Sequence, residues 1–426
     1  MAESLQPRIP ESNGATAAYH RSGRVYMLVL LFAAAVLNAT DRGIFAIAMP
    51  AIKHEYSFTD SQLGLLGGVA FGVFYAIASL PIGYLATRLP RRNLLAICLA
   101  FWSAATTLTS LARGFVSLFL ARLSVGIGEA GGIPLSLSLI AARFEPTKRA
   151  SATGWLNAGA SLGLILGSWG TGALIAHFGW RTAFLVLGTP GVLLALLFKI
   201  TVAEPKDVPV VQSLPWRQLA RAYRDPALVQ VTLAFIASGF NGYGISAWTP
   251  SFYQRVLGMR ADEVGFFTGV VLGAGSLVGS LAAGFAIDRI GRGRTAFGLN
   301  MAAWVVLATV PMGIWGFMSR DRVLSLSLVT ATQIAGGLRN IVLYTAVQNL
   351  TLPVLRPFII AITASLTLLI GSGLGPLCVG EISDHTAGGV ATGLAVMSAA
   401  AAWVVVHCWW ASALERRRDA GRPPRP

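Results

Sequence analysis

The chain has 426 residues, of which 54% are hydrophobic and only 12% charged, with a mean hydropathy of +0.65. Soluble domains carry about twice that share of charge, so the composition excludes a globular enzyme and points to a polytopic membrane protein. The formal charge of +15 invites a nucleic-acid partner, but the basic residues sit in short gaps between apolar runs, which argues against one.

A helical bilayer crossing needs about 20 mainly apolar residues. On that basis the sequence predicts spans near 25–51, 61–87, 93–112, 115–143, 150–177, 180–200, 226–256, 263–288, 294–317, 323–351, 357–383 and 388–413. The first is too long for a cleaved leader, and no clear small-residue cleavage site follows it. Residues 201–225 form the longest polar gap, with Pro205, Pro209 and Pro215, and read as a linker with a short surface helix near 215–224. The division expected is a tail (1–24), a six-helix bundle (25–200), the linker, a second six-helix bundle (226–413) and a second tail (414–426). Cys98, Cys378 and Cys408 all fall in spans without metal-ligand spacing and read as small apolar side chains.

Lysine and arginine set the expected orientation. With both termini cytoplasmic, 23 basic residues fall on the cytoplasmic side and 7 on the outer side (Lys53, Arg113, Arg181, Arg255, Arg260, Arg320 and Arg322). The remaining three, Arg42, Arg122 and Arg339, lie inside spans. The expected location is the plasma (inner) membrane.

An internal repeat supports two halves. At a constant offset of 201, Gly64, Gly68, Gly72, Gly83, Arg88 and Arg91 coincide with Gly265, Gly269, Gly273, Gly284, Arg289 and Arg292. Such repeats mark transporters whose halves rock about a site near the bilayer midplane.

These features resemble the major facilitator superfamily. The motif carried by Gly284, Asp288, Arg289, Gly291, Arg292 and Arg294 is similar to the loop that follows the second helix of a half in that family. More narrowly, LNATDR (37–42), RLSVGIGEAGGIP (122–134) and GLGPLCVGEISD (373–384) resemble the Spinster-like branch. The resemblance implies an all-α fold of two pseudo-symmetric six-helix bundles, and a lysolipid or lipid phosphate as cargo. It also implies cytoplasmic gating loops at Gly83, Arg88 and Arg91 and at Asp288, Arg289 and Arg292. One departure stands out: Thr87 and Pro90 occupy places where the family usually has Asp and often Gly. Any lock on that side is then expected to lean on Asp288 or on other contacts.

A charge at the bilayer centre costs roughly 2.5–3.5 kcal/mol on insertion scales, so charges within spans mark an ion or substrate path. Arg122 and Glu129 are seven residues apart, about two helical turns, and share a face. By depth, Asp41 is expected to pair with Arg122, leaving Glu129 near the midplane and not permanently paired. Arg42 is rotated about 100° from Asp41, so the two cannot face one partner equally. Glu129 and Asp41 are thus candidates for carrying a proton, the expected coupling ion. Arg122, Arg42 and Arg339 are candidates for balancing charge or holding an anionic head group or organic anion. The second half offers Arg339 and Asn340 with no acid, and Asn241, Tyr243 and Trp248 as cavity lining. Packing is the competing role for each of those last three. Glu381, Asp384 and His385 are expected to be solvated.

No phosphate loop for primary pumping is present, and no Ser–His or metal-spaced cluster suggests an enzyme, so none is expected. The sequence therefore points to a secondary active transporter without cofactor or metal. Its partners are expected to be a small-molecule or lipid substrate and membrane lipids, with function as a monomer. A passive facilitator of an organic anion is the alternative, with a membrane-embedded sensor or enzyme further behind.

Overall fold

The computed structural model describes residues 14–86, 88–204, 216–290 and 294–420. Among these residues, ten helices are long and apolar enough to cross a membrane. The longest of the ten is two helices, because Gly179 has a φ of +81° and breaks it. Arg91–Thr109 adds another membrane-length helix of 19 residues, opened by two arginines that lower its apolarity.

Twelve membrane-length helices result among the described residues: α1 Gly14–Tyr56 and α2 Asp60–Leu85, α3 Arg91–Thr109 and α4 Phe115–Arg143, α5 (146–178) and α6 (180–201), α7 Pro226–Arg255 and α8 Ala261–Phe285, α9 Thr295–Met318 and α10 Arg322–Asn349, and α11 Phe358–His385 and α12 Gly389–Arg418. Short connections make consecutive helices antiparallel, so both termini lie at one end of the bundle. That end is called the terminal end below, and the opposite end the distal end.

Local sequence starts several of these helices. Before α2, the Thr59 hydroxyl accepts from the Gln62 amide at 3.1 Å and the Gln62 side chain accepts from the Thr59 amide at 3.0 Å, a closed capping box. Asp225 caps α7 through the Ala227 amide at 2.9 Å, with Pro226 at the first helical position. The short helix Trp216–Ala222 falls where the linker was expected to carry one, and its Leu219 is buried against α7 residues such as Leu228. Residues 205–215 of the linker lie outside the described residues.

Both tail boundaries differ from expectation. The N-terminal tail was placed at 1–24, yet helix begins at Gly14. The C-terminal tail was placed from 414 onward, yet helix continues to Ala420. Charge pairing holds it: the Arg418 guanidinium reaches Glu415 at 2.8 Å and grips the Asp225 carboxylate that caps α7.

The repeated glycines are where the two halves touch. A Cβ on Gly64 would lie 2.6 Å from the Pro376 carbonyl, and one on Gly68 2.6 Å from that of Gly373, so α2 meets α11 backbone to backbone. The second copy does the same: Gly265 abuts Ser168 and Gly172, and a Cβ on Gly269 would lie 2.5 Å from the Ile165 carbonyl, joining α8 to α5. Both copies are irregular at the same register. Helix α2 breaks at Gly68, and α8 makes a π-helical segment at Phe267–Leu272. Further along the ladder, Cβ atoms on Gly83 and Gly284 would meet nothing within 4 Å. The halves therefore close on each other distally and part toward the terminal end.

The apolar cores follow the same plan. One buried cluster lies within the first half around Leu99, Trp102 and Leu139. Another lies within the second around Leu299, Val306 and Leu343. A third joins both halves, from Phe45 and Leu63 to Phe252 and Phe317.

Candidate functional site

Between the halves lies a cavity of about 340 Å³. First-half helices supply Arg42, Phe45, Phe71, Arg122 and Ser168, and second-half helices supply Tyr243, Thr268 and Gln333. Its position follows from the ladder: above it the glycines close, and below it the helices diverge.

The four in-span charges of the first half come together beside this cavity, with pairings that differ from the sequence expectation. Glu129, expected to lack a permanent partner, is held by Arg42, whose Nε lies 3.1 Å from Glu129 Oε2. Glu129 has no exposed surface, and its other oxygen lacks a hydrogen-bond partner. Asp41 is 4% exposed and sits beside Thr106 of α3. Arg122 is also 4% exposed, within electrostatic reach of Glu129 and Asp41, but among the described residues it makes no ion pair. Its guanidinium rests over the rings of Phe45 and Phe71, at 4.8 and 5.0 Å from their centres. The reason is reach and rotation. Asp41 turns toward α3, while the neighbouring Arg42 projects into the cavity and its long stem spans the distance to Glu129.

The second half holds a smaller cavity of about 50 Å³, lined by Asn241, Gln333 and Arg339 among others. Asn241 donates to the Met397 carbonyl at 2.6 Å and accepts from Arg339 at 3.4 Å. Tyr243 lines the central cavity. Trp248 and Asn340 line neither cavity. Trp248 is fully buried and donates to the Pro376 carbonyl at 2.8 Å, which makes it a brace between α7 and α11. Asn340 is an exposed residue accepting from Ser238 at 3.3 Å.

In the expected gating loops, Arg88 and Arg289 contact residues of their own helices. Arg88 is exposed over Tyr84 at 4.5 Å, and Arg289 is exposed over Phe285 at 5.6 Å. Arg91 is buried and lines a cavity of about 170 Å³ inside the first half together with Gly83. The Asp288 side chain, Arg292 and Thr87 lie outside what the structure describes.

The distal closure rests on residues that sequence reasoning passed over. Asp60, 2% exposed at the start of α2, accepts from Nη1 and Nη2 of Arg255 at 2.9 and 3.0 Å. Lys53 and Ser383 also donate to it. Asp384, expected to be merely solvated, accepts from the Asp60 and Ser61 amides at 2.8 and 2.7 Å. It therefore ties α11 to the start of α2. The signal was present: an acid opens the glycine-ladder helix, and the matching register of the second half is Ala261.

The family model of the Major Facilitator Superfamily matches residues 31–376. The chain belongs to the Major Facilitator Superfamily. Members of the superfamily found by comparison are transporters rather than enzymes. An "MFS-type efflux pump" of Mycolicibacterium smegmatis is 29% identical over 90% of this chain and 91% of its own length. A hexuronate transporter of Bacillus subtilis is 28% identical over 66% of this chain and 69% of its own. Among solved structures, a bacterial homologue of the human lysosomal transporter Spinster, in an inward-facing and unoccupied conformation, superposes with a TM-score of 0.83 at 24% identity, covering 95% of this chain and 99% of that one. The Spinster-like resemblance of the three sequence motifs is thus matched by the fold of this major facilitator protein.

Proposed function

We propose that the protein is a secondary active transporter of a small organic anion, working by alternating access and coupled to protons through Glu129 and Asp41. The observation that carries this reading is Arg122: a buried guanidinium that lines the central cavity and makes no ion pair among the described residues. Glu129 and Asp41 are near it but neither lies within ion-pair distance, so an anionic solute would give this buried cation the direct partner it lacks among the described residues. The hexuronate transporter among the relatives gives the same chemical class.

Coupling follows from the shared arginine. A solute that engages Arg42 withdraws it from Glu129, whose burial as an unpaired ion is costly. Taking up a proton removes that cost, so anion and proton bind together and cross together. Asp41 is the second carboxylate of the cluster and adjusts the balance. The closed distal end with parted terminal ends is one of the two facings such a cycle requires. The terminal end is cytoplasmic in this reading, supported by the excess of basic residues there, and the membrane is the plasma (inner) membrane. The central cavity is at the small end of the roughly 300–1,000 Å³ typical of small-molecule sites, which favours a compact solute over a lysolipid.

The test is uptake by proteoliposomes of labelled glucuronate, with labelled lysophosphatidylcholine in a parallel arm, with and without an imposed pH gradient. The parent protein is expected to accumulate glucuronate only with the gradient. Glu129→Gln should retain binding and lose at least about 90% of gradient-driven accumulation. Unchanged accumulation and pH dependence in Glu129→Gln would remove Glu129 from the coupling. Gradient-dependent movement of the lysolipid alone would overturn the organic-anion reading.

A further inference from the structure

The second-half cavity is separate from the charge cluster just described, and its chemistry is one-sided. Arg339 is 9% exposed and lines it. Among the described residues it makes no ion pair, its Nε has no hydrogen-bond partner, and its one hydrogen bond is the long 3.4 Å contact to Asn241. The Asn241 amide nitrogen is spent on the Met397 carbonyl, so its oxygen is fixed toward the guanidinium. Gly242 and Gly336 flank the Nη2 nitrogen, and a Cβ added to either would stay 3.9 and 3.8 Å from it. Thr332 and Ser398 also line this space, their hydroxyls donating to the Val329 and Leu394 carbonyls, and Gln333 lines both this cavity and the central one.

From this geometry we infer that Arg339 and Gln333, with Asn241 holding the guanidinium, form a second anion-binding subsite, opening onto the central cavity and sized for a single carboxylate or halide. A volume of about 50 Å³ admits one small anionic group and not a whole solute. The guanidinium presents Nη2 on this side, and a charge-assisted bond there would give the buried cation a direct partner. Two sources can fill it. One is the far end of a solute whose near end lies at Arg42 and Arg122, which makes the solute a dianion. The other is a free inorganic anion such as chloride. The dianion source rests on the organic-anion reading above; the chloride source does not.

The experiment is equilibrium binding followed by thermal unfolding of the purified full-length protein, read by tryptophan fluorescence in a buffer whose only anion is bulky. The probes are chloride, acetate, succinate and adipate, applied to the parent, Arg339→Gln, Arg339→Lys and Arg122→Gln. A solute-borne second anion gives the parent at least tenfold tighter binding of one dicarboxylate than of acetate, an advantage that Arg339→Gln removes and Arg339→Lys largely removes. A free anion gives stabilisation by chloride that is lost in Arg339→Gln and kept in Arg122→Gln. Removing an unpaired buried charge should leave Arg339→Gln folded, with an anion-free midpoint at least as high as the parent's; Arg339→Lys keeps the charge and serves as the second folded comparison. Responses of Arg339→Gln identical to the parent's for all four probes overturn the subsite. Loss of every probe's effect in Arg122→Gln, with Arg339→Gln unaffected, leaves the central reading standing and overturns this one.

Discussion

At the scale of single residues, the distinction that matters is between a charge that has a partner and one that waits for it. Arg42 has Glu129 at 3.1 Å; Arg122 has only two aromatic faces. An arginine over rings keeps a flat donor edge for a carboxylate, whereas lysine is a compact point charge that cannot bind an anion bidentately. Arg122→Lys should therefore weaken glucuronate binding at least tenfold, about 1.4 kcal/mol or more, while the protein stays folded. Isothermal titration beside tracer uptake checks it, and near-parent affinity in that variant would reduce Arg122 to charge balance. The sequence made all four charges of this cluster visible, because each interrupts an apolar run. Its pairing was not visible. Helical spacing gives depth and rotation on one helix, but Asp41 and Arg42 differ in which neighbour they face, and arginine's reach overrides a small mismatch in depth.

At the scale of elements, the helices of the two halves have different work to do where they meet. Glycines let α2 and α11, and α5 and α8, approach until backbones touch. Polar contacts then secure the ends, above all at Asp60. The repeat in the sequence exposed the glycine ladder, since identical spacing at a fixed offset is a one-dimensional pattern. It could not expose the Asp60–Arg255–Asp384 tie, because those residues come from α2, α7 and α11, far apart along the chain. Asp60→Asn replaces a buried carboxylate shared by Arg255, Lys53 and Ser383 with a neutral amide. Losing one charge-assisted bond of this sort costs roughly 2 kcal/mol, which shifts a two-state balance about thirtyfold away from distal closure. Spin labels at exposed positions 54 and 385, one in each half, should then report a second, longer distance that is minor in the parent. An unchanged distribution would show that the glycine contacts alone keep the distal end shut.

At the scale of the whole molecule, the arrangement is a wedge: packed distally across both halves, parted at the end that carries both termini, with the central cavity at the apex. Twelve crossings were countable from hydropathy, although α3 is too arginine-rich at its start and the α5–α6 junction too short to stand out by length and apolarity alone. What decides function is which face of the membrane the parted end meets. The asymmetry of 23 basic residues against 7 argues that it meets the cytoplasm. The bias lies mainly in short loops next to span ends, where it sets orientation most strongly. In a variant lacking the three native cysteines, single cysteines placed in 205–215 and in 416–425 should react with a membrane-impermeant maleimide only after the cells are opened. A cysteine at the exposed distal position 385 should react in intact cells. Reversal of this pattern would turn the wedge toward the outside. The same cavity, arginines and buried carboxylates would then be loaded from the medium in the state described here. The direction in which a proton gradient drives the anion would follow from that.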